Sequence, residues 1–109
     1  MAEYKQYITQ IQEGGNVMIS EDVITTIVEH TMTEVDGVDS FSSKNWGKGM
    51  KIQIAEDNSV SISCNIVVKY GCSVVDVAKN VQNALVGAVE SMTGVKVSIV
   101  NVNVCGIVR

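Results

Sequence analysis

Basic residues are scarce in this chain, and their scarcity argues against general binding of nucleic acid. The sequence holds eight Lys and Arg against twelve Asp and Glu, which gives a formal net charge of −4 at pH 7. Phosphate contacts need clustered Lys and Arg. One small basic group, Lys44, Lys48 and Lys51, lies among Gly, Ser and Asn residues that are typical of a solvated loop. We therefore expect no nucleic-acid partner.

The sequence also has no signal for crossing or entering a membrane. No apolar run approaches the roughly 20 residues that span a bilayer, and no basic start followed by an apolar middle marks a secretory leader. We therefore expect a cytoplasmic protein without direct membrane insertion, which associates with a membrane only where a partner tethers it.

Metal and redox motifs are missing as well. Cys64, Cys72 and Cys105 are odd in number and lack the short paired spacing of zinc or redox sites. Cys64 falls in phase with strand residues that face a core. We expect all three to be buried free thiols in a reducing compartment, and we expect no metal and no cofactor.

No catalytic constellation is evident. His30 is the one histidine, and Glu34, one helical turn on, is placed to hydrogen-bond it at the protein surface. The segment Gly47-Lys48-Gly49 lacks the strand and the following Ser or Thr of a phosphate loop. Asp36 and Asp39 lack the further oxygen ligands of a cation site. We expect no catalytic residue and no enzymatic activity.

Aromatic residues are few, with one Phe and one Trp, so the core has to be built from Val, Ile and Met. A length of 109 residues fits one domain. We place an N-terminal arm at 1–13 and a single domain at 14–109. In the arm, Tyr4, Tyr7, Ile8 and Ile11 have helical spacing, which favours a short helix on the domain or on another subunit, with a frayed terminus as the alternative.

Two helices are predicted from their capping residues. Ser20 precedes Glu21 and Asp22, and Ser73 precedes Asp76, so both serines are placed as N-caps. Gly37 and Gly94 are the predicted stops. Each helix has one apolar face. The predicted faces are Val23, Ile24, Ile27, Val28, Thr31 and Val35, and Val74, Val77, Ala78, Val81, Ala84, Leu85, Ala88, Val89 and Met92.

Alternation of apolar and polar residues predicts strands at 16–19, 50–54, 60–68 and from Val95 onward, with a short strand or irregular crossing after Val38. The predicted class is therefore α+β, a two-layer sandwich with two helices packed on one face of a mostly antiparallel sheet, in the order β-α-(β)-β-β-α-β. For the strand order, a split β-α-β arrangement is the natural guess.

The last strand changes the side on which its apolar residues fall. Val95, Val97 and Ile99 share one parity, whereas Val100, Val102 and Val104 share the other. Either a bulge restores the register, or the second row meets another subunit or partner. Trp46 is either the buried anchor of its loop or a contact residue. The candidate partner surface is therefore Trp46, Val100, Val102 and Val104.

Five segments together resemble the alkaline shock protein family, also called the envelope stress response family of Gram-positive bacteria. They are Y-G-C-S-V-V-D-V-A-K-N-V-Q (Tyr70 to Gln82), A-V-E-S-M-T-G-V-K-V (Ala88 to Val97), V-N-V-N-V-C-G-I (Val100 to Ile107), G-N-V-M-I-S-E-D-V-I (Gly15 to Ile24) and V-D-G-V (Val35 to Val38). The resemblance covers almost all of 14–107 and leaves out the arm.

This resemblance implies a small, non-enzymatic cytoplasmic protein linked to cell-envelope or alkaline stress. Some members of the family are held at the membrane by an integral partner, some self-assemble, and other relatives are associated with lipid metabolism. The main hypothesis is an interaction or scaffolding protein that forms a homo-oligomer or docks to a membrane-anchored protein. The alternative is a binding module for a small apolar ligand such as an acyl chain, in a cavity between the layers. An enzyme is the third class.

Overall fold

Six strands and two helices make up the part of the chain that the computed structural model describes, residues 6–41 and 50–109. Trp46, Lys44 and Lys48 lie outside these residues. The elements are β1 (Tyr7–Gln12), β2 (Gly15–Ser20), α1 (Glu21–Met32), β3 (Val38–Phe41), β4 (Met50–Ile54), β5 (Val60–Lys69), α2 (Val74–Thr93) and β6 (Val97–Val108). The predicted α+β class is confirmed, with one strand, β1, added in front.

Both helices begin at the predicted caps. The Ser20 hydroxyl accepts a hydrogen bond from the Asp22 N–H at 3.1 Å, and Ser73 accepts one from the Asp76 N–H at 3.4 Å. Gly94 ends α2 in the left-handed conformation, with φ 72°, as its lack of a Cβ allows.

Helix α1 ends at Met32, earlier than the predicted stop at Gly37. Tighter turns follow it, in which the Thr33 N–H donates to the His30 carbonyl at 3.2 Å and the Glu34 N–H to the Thr31 carbonyl at 3.0 Å. Gly37 has a different role. It has φ +92°, and a Cβ built there would lie 2.6 Å from a methyl carbon of Val77 on α2, so glycine allows this close approach.

Strand β5 is the centre of the main sheet. β4 pairs antiparallel with its first half, Val60–Cys64, and β3 pairs antiparallel with Ile66–Val68. On the other side, β6 pairs parallel with β5 over almost its whole length. The split arrangement is therefore wrong, because α2 returns the chain directly alongside the strand it left.

The helices pack on one face of this sheet and enclose an aliphatic core. The buried residues of β5 alternate along the strand as predicted, and α1, α2 and β1 supply the opposing side chains. The fully buried side chains are Ile8, Ile24, Val28, Met32, Val60, Ile62, Cys64, Ile66, Val68, Val81, Leu85 and Val89. Met92, predicted on the buried face of α2, is 71% exposed.

The prediction of three buried thiols is correct for one of them. Cys64 is 1% exposed in the core, but Cys72 and Cys105 are exposed. Cys72 lies in the turn before α2, and Cys105 points away from the core on β6. Alternation of apolar and polar residues correctly predicted the burial of Cys64 because its strand, β5, is central in the sheet. Cys72 and Cys105 lie outside a central strand.

The N-terminal segment is a strand, which corrects the predicted helix or frayed terminus. Residues Tyr7–Gln12 pair antiparallel with Gly15–Ser20 in a two-stranded sheet, joined by a turn at Glu13 and Gly14. A tight turn of this kind is favoured by glycine. Ile8 lies opposite Ile19 and is fully buried, so the hairpin contributes directly to the core.

A bulge accounts for the parity change in β6. Val97 lies opposite Val60, but Ile99 lies opposite the next residue, Ser61, so β6 has one extra residue at this point. The bulge alternative is therefore confirmed. A second irregularity follows Val104, which leaves Val100–Val104 as a regular segment between two bulges.

Candidate functional site

The face of the main sheet opposite the helices is the candidate interaction surface, and no described helix covers it. Side chains on this side alternate with the buried ones of β4, β5 and β6. We call this surface the open face. It consists of Lys51, Gln53, Ser61, Ser63, Asn65, Ile99, Asn101, Asn103 and Cys105. Val67, beyond Asn65 on β5, is only 6% exposed although it lies outside the helix-side core.

The register places these side chains in rows across the strands. Ser63 lies between Lys51 and Asn101. Asn65 lies beside Asn103, and the Asn103 side-chain amide donates to its Oδ1 at 3.0 Å. Such cross-strand pairs hold side chains in defined positions. At least part of the polar groups of the open face are therefore already ordered.

The open face carries little charge. None of the twelve Asp and Glu residues lies in β4, β5 or β6, and Lys51 is the one ionisable side chain of the rows just described. The negative charge of the chain lies mostly in α1, α2 and the turns. Because these strands carry no carboxylate, Lys51 is the one charge of these rows that repels its counterpart in a second copy.

Gln6 closes one edge of the sheet. Its side-chain amide donates to the Ile52 carbonyl at 2.7 Å, and its Oε1 accepts from the Ile54 N–H, also at 2.7 Å. Its own N–H donates to Glu21 Oε1, and its carbonyl accepts from the Glu21 N–H, each at 2.8 Å. The side chain thus takes the place of a neighbouring strand beside β4.

The opposite edge, formed by β6, has no neighbouring strand among residues 6–41 and 50–109. β6 is also the longest strand described, with 12 residues. Besides its ladder to β5, it accepts a hydrogen bond at the Val100 carbonyl from Gln82 Nε2, at 3.0 Å. An edge of this length with unpaired backbone groups is a template for strand addition.

The sequence-predicted contact residues have different positions. Val100 is 7% exposed and belongs to the core, so its prediction as a surface residue is corrected: the bulge turns it toward the helices. Val102 and Val104 are half-buried and pack against the margin of that core. A role for these two in contacting a partner stays a prediction. Trp46 lies outside the described residues.

A shallow apolar groove lies between the helices, lined by Thr26, Ile27, His30, Thr31 and Met92. Its cavity volume is about 220 Å³ and it opens to solvent. Pockets that bury small ligands usually enclose about 300–1,000 Å³. The groove is therefore small for an acyl chain, the ligand class of the alternative hypothesis.

The titratable groups of the described chain are mostly ordinary surface groups. His30 Nε2 lies 3.6 Å from Glu34 Oε2, and both side chains are exposed, as predicted. Burial raises the pKa of the Cys64 thiol to about 11. The hydroxyl and then the backbone N–H of Ser59 donate to Asp57 and lower the pKa of its carboxyl.

Residues 6–41 and 50–109 contain no group of three His, Cys, Asp or Glu side chains placed to hold a metal ion. In the same part of the chain, neither helix is long and apolar enough to cross a bilayer.

Sequence reasoning missed Gln6 and the exposed apolar row of the hairpin. On β1 and β2, Ile11 is 84% exposed, Met18 60% and Tyr7 47%. The alternation of Tyr7, Thr9 and Ile11 was the available signal, but helical spacing of the neighbouring residues competed with it. No local signal marks Gln6, because its partners on β4 are more than 45 residues away.

Solved structures similar to this chain support the fold. A methionine-to-leucine variant of the MamM CTD superposes with a TM-score of 0.55, covering 79% of this chain and 96% of that one at 13% sequence identity. Another MamM CTD variant gives a TM-score of 0.54 and covers 92% of that chain. At this identity the likeness concerns the fold alone.

Relatives found by sequence have higher identity to this chain than these solved structures. The Streptococcus pyogenes serotype M6 protein Spy1535 is 36% identical over 103 residues, covering 86% of this chain and 80% of that protein. YqhY of Bacillus subtilis is 31% identical over 105 residues, covering 85% and 77%. Residues 9–109 match the ASP23 family, described as having a cell envelope-related function. This match includes part of the hairpin that the sequence resemblance left out. The chain therefore belongs to this cell envelope-related family.

Proposed function

We propose that this chain is a non-enzymatic interaction module that serves the envelope-related function of its family through protein contacts, by self-association or by docking to a membrane-anchored partner. The observation that carries the proposal is the open face. On β4, β5 and β6 it bears no carboxylate, and no described helix packs on it. Depletion of charged groups is typical of the centre of protein interfaces.

The proposed place of action is the cytoplasm, with the membrane reached through the partner. A contact surface of this kind needs no insertion into lipid. Within residues 6–41 and 50–109, no acid, base and nucleophile are assembled together, which supports a non-enzymatic role. His30 lies exposed on α1 beside Glu34, and the open face carries mostly amides and hydroxyls, with Lys51 and Cys105 besides.

The test is to place negative charge on the open face of the full chain. Ser61→Glu with Ser63→Glu changes the central strand, and Asn80→Glu with Asn83→Glu adds the same charge to the exposed side of α2. Membrane co-fractionation in the native host and solution mass across concentration are measured for both. We expect the β5 variant to lose association and the α2 variant to retain it.

Two results would contradict the proposal. The first is a wild-type chain that stays monomeric across concentration and is absent from the membrane fraction. The second is equal behaviour of the two variants, which would mean that the open face has no special role. Hydrogen exchange of β5 amides checks that the sheet of the β5 variant is intact.

A further inference from the structure

The two edges of the main sheet differ in a way that points to pairing between copies of this chain. Gln6 satisfies the outer backbone groups of Ile52 and Ile54 on β4, whereas no described strand pairs along the outer edge of β6, where Gln82 Nε2 donates to the Val100 carbonyl. Natural edge strands are usually protected by charges, prolines or bulges, and of these β6 has two bulges, after Val97 and after Val104. β6 carries no charged residue and no proline between Val97 and Val108.

The bulges of β6 leave one segment suited to pairing. Register shifts follow Val97 and Val104, so Val100–Val104 lies within the regular run that begins at Ile99. Its sequence is V-N-V-N-V, which reads the same in both directions about Val102. An antiparallel pair formed by two copies of this segment about a two-fold axis therefore places Val opposite Val and Asn opposite Asn.

We infer that the outer edge of β6 binds the same edge of a second copy of this chain, through antiparallel pairing of Val100–Val104 centred on Val102. This inference deepens the proposed function by naming the partner in self-association and the part of the sheet that it contacts. It rests on that proposal.

The side chains fit this register. Val100 of one copy lies opposite Val104 of the other, and Val102 lies opposite its own counterpart, so all the valines fall on the helix side. Val102 and Val104 are half-buried at the margin of the core. Pairing removes more of their apolar surface from water, which is favourable.

The asparagines fit as well. Asn101 of one copy lies opposite Asn103 of the other, on the open face. Asn103 already donates its amide to Asn65 at 3.0 Å, so pairing extends an existing row of amides across the interface. At the ends of the strand, Lys96 lies opposite Val108 and Arg109 opposite Val95, so no like charges face each other in this register.

The first test is site-specific cross-linking under mild oxidation, in the full chain carrying Cys72→Ser and Cys105→Ser. Val102→Cys is expected to form a disulfide-linked dimer, because residues opposite each other have Cβ atoms about 4.5–5.5 Å apart and a small backbone shift brings them to the roughly 3.5–4.5 Å of a disulfide. Asn101→Cys alone and Asn103→Cys alone are expected to react several-fold less. A mixture of these two variants is expected to form the mixed dimer efficiently.

The second test uses matched charges at the same two positions. Asn101→Asp with Asn103→Asp places carboxylates opposite each other twice in the dimer. Asn101→Asp with Asn103→Lys places opposite charges there and loses the same amide contact to Asn65. By sedimentation across concentration, we expect the dissociation constant of the first variant to rise about tenfold and that of the second to stay within about threefold of wild type.

The outcomes separate this inference from the proposed function. A chain that associates but cross-links at Ser63→Cys and not at Val102→Cys overturns the edge pairing and leaves the proposed function standing, because the open face then makes the contact. A chain that is monomeric but still co-fractionates with membranes likewise overturns the edge pairing and leaves the proposed function standing. A chain that is monomeric and is also absent from the membrane fraction overturns the edge pairing and the proposed function together.

Discussion

At the scale of single residues, burial separates the chemistry of the three thiols. Cys64 is 1% exposed in the centre of β5, and burial raises its pKa from 9.0 to about 11. Cys72 and Cys105 are exposed. The thiolate is the reactive form of cysteine, so Cys64 is expected to be inert at neutral pH whereas the other two are accessible to reagents.

This difference predicts a loss of stability in alkaline solution. Above pH 9.0 the Cys64 thiol of the unfolded chain ionises, whereas that of the folded chain stays protonated until about pH 11. The free energy of unfolding therefore falls as pH rises through this window, by about 2–3 kcal/mol from this group. The measurement is urea unfolding from pH 8 to 11, comparing wild type with Cys64→Val.

Cys64→Val is expected to flatten the pH dependence by that amount, since it removes the titrating group and keeps the core filled. Cys72→Ser serves as the control, because its thiol is exposed in both states. An unchanged slope for Cys64→Val would show that other groups cause the alkaline loss.

At the scale of elements, the Gln6 side chain occupies the position of a neighbouring strand beside β4. Gln6 bonds both the Ile52 carbonyl and the Ile54 N–H at 2.7 Å and so holds the N-terminal hairpin to β4. Its four hydrogen bonds, counting those to Glu21, also join the hairpin to the start of α1. The hairpin is thereby attached to the domain at its base.

Gln6→Ala is expected to destabilise the chain by about 1–3 kcal/mol, because two backbone groups of β4 lose their partners. The free energy of opening that hydrogen exchange reports for the Ile54 amide should fall by a similar amount. Gln12→Ala, at the exposed far end of β1, is the matched control and should change neither quantity. Equal effects of the two substitutions would mean that the Gln6 bonds contribute nothing.

At the scale of the whole molecule, the hairpin and the domain share one core. Ile8 of β1 is fully buried together with side chains of α1, α2 and β5. Ile11, on the same strand, is 84% exposed. A separate arm at residues 1–13 would have no such shared burial, so this geometry favours cooperative unfolding of hairpin and domain.

Ile8→Ala is expected to lower the free energy of unfolding of the whole chain by about 2–5 kcal/mol, as cavities in a packed core do. Ile11→Ala should change it by less than about 0.5 kcal/mol. Hydrogen exchange of β5 amides reports whether the loss reaches the central strand. Protection of β5 that is insensitive to Ile8→Ala would show that the hairpin unfolds independently.

The candidate site was partly predictable. Alternation of Val60 to Val68 placed Ser61, Ser63 and Asn65 on the side away from the core, which is now part of the open face. The parity change at Ile99 and Val100 predicted either a bulge or a second covered face, and the structure has the bulge. The side to which Val100, Val102 and Val104 point could not be predicted. Alternation alone does not say whether these residues after the bulge face the core or the solvent.

The amino-acid sequence by itself determined the elements whose signals are local. Ser20, Ser73 and Gly94 set helix ends through hydrogen bonds and backbone angles within a few residues, and aliphatic alternation set β4 and β5. The tertiary structure alone decided that β6 runs parallel beside β5, that residues 7–12 form a strand and that Gln6 closes one sheet edge. These depend on contacts between distant residues, whose free energy exists only once the core has formed.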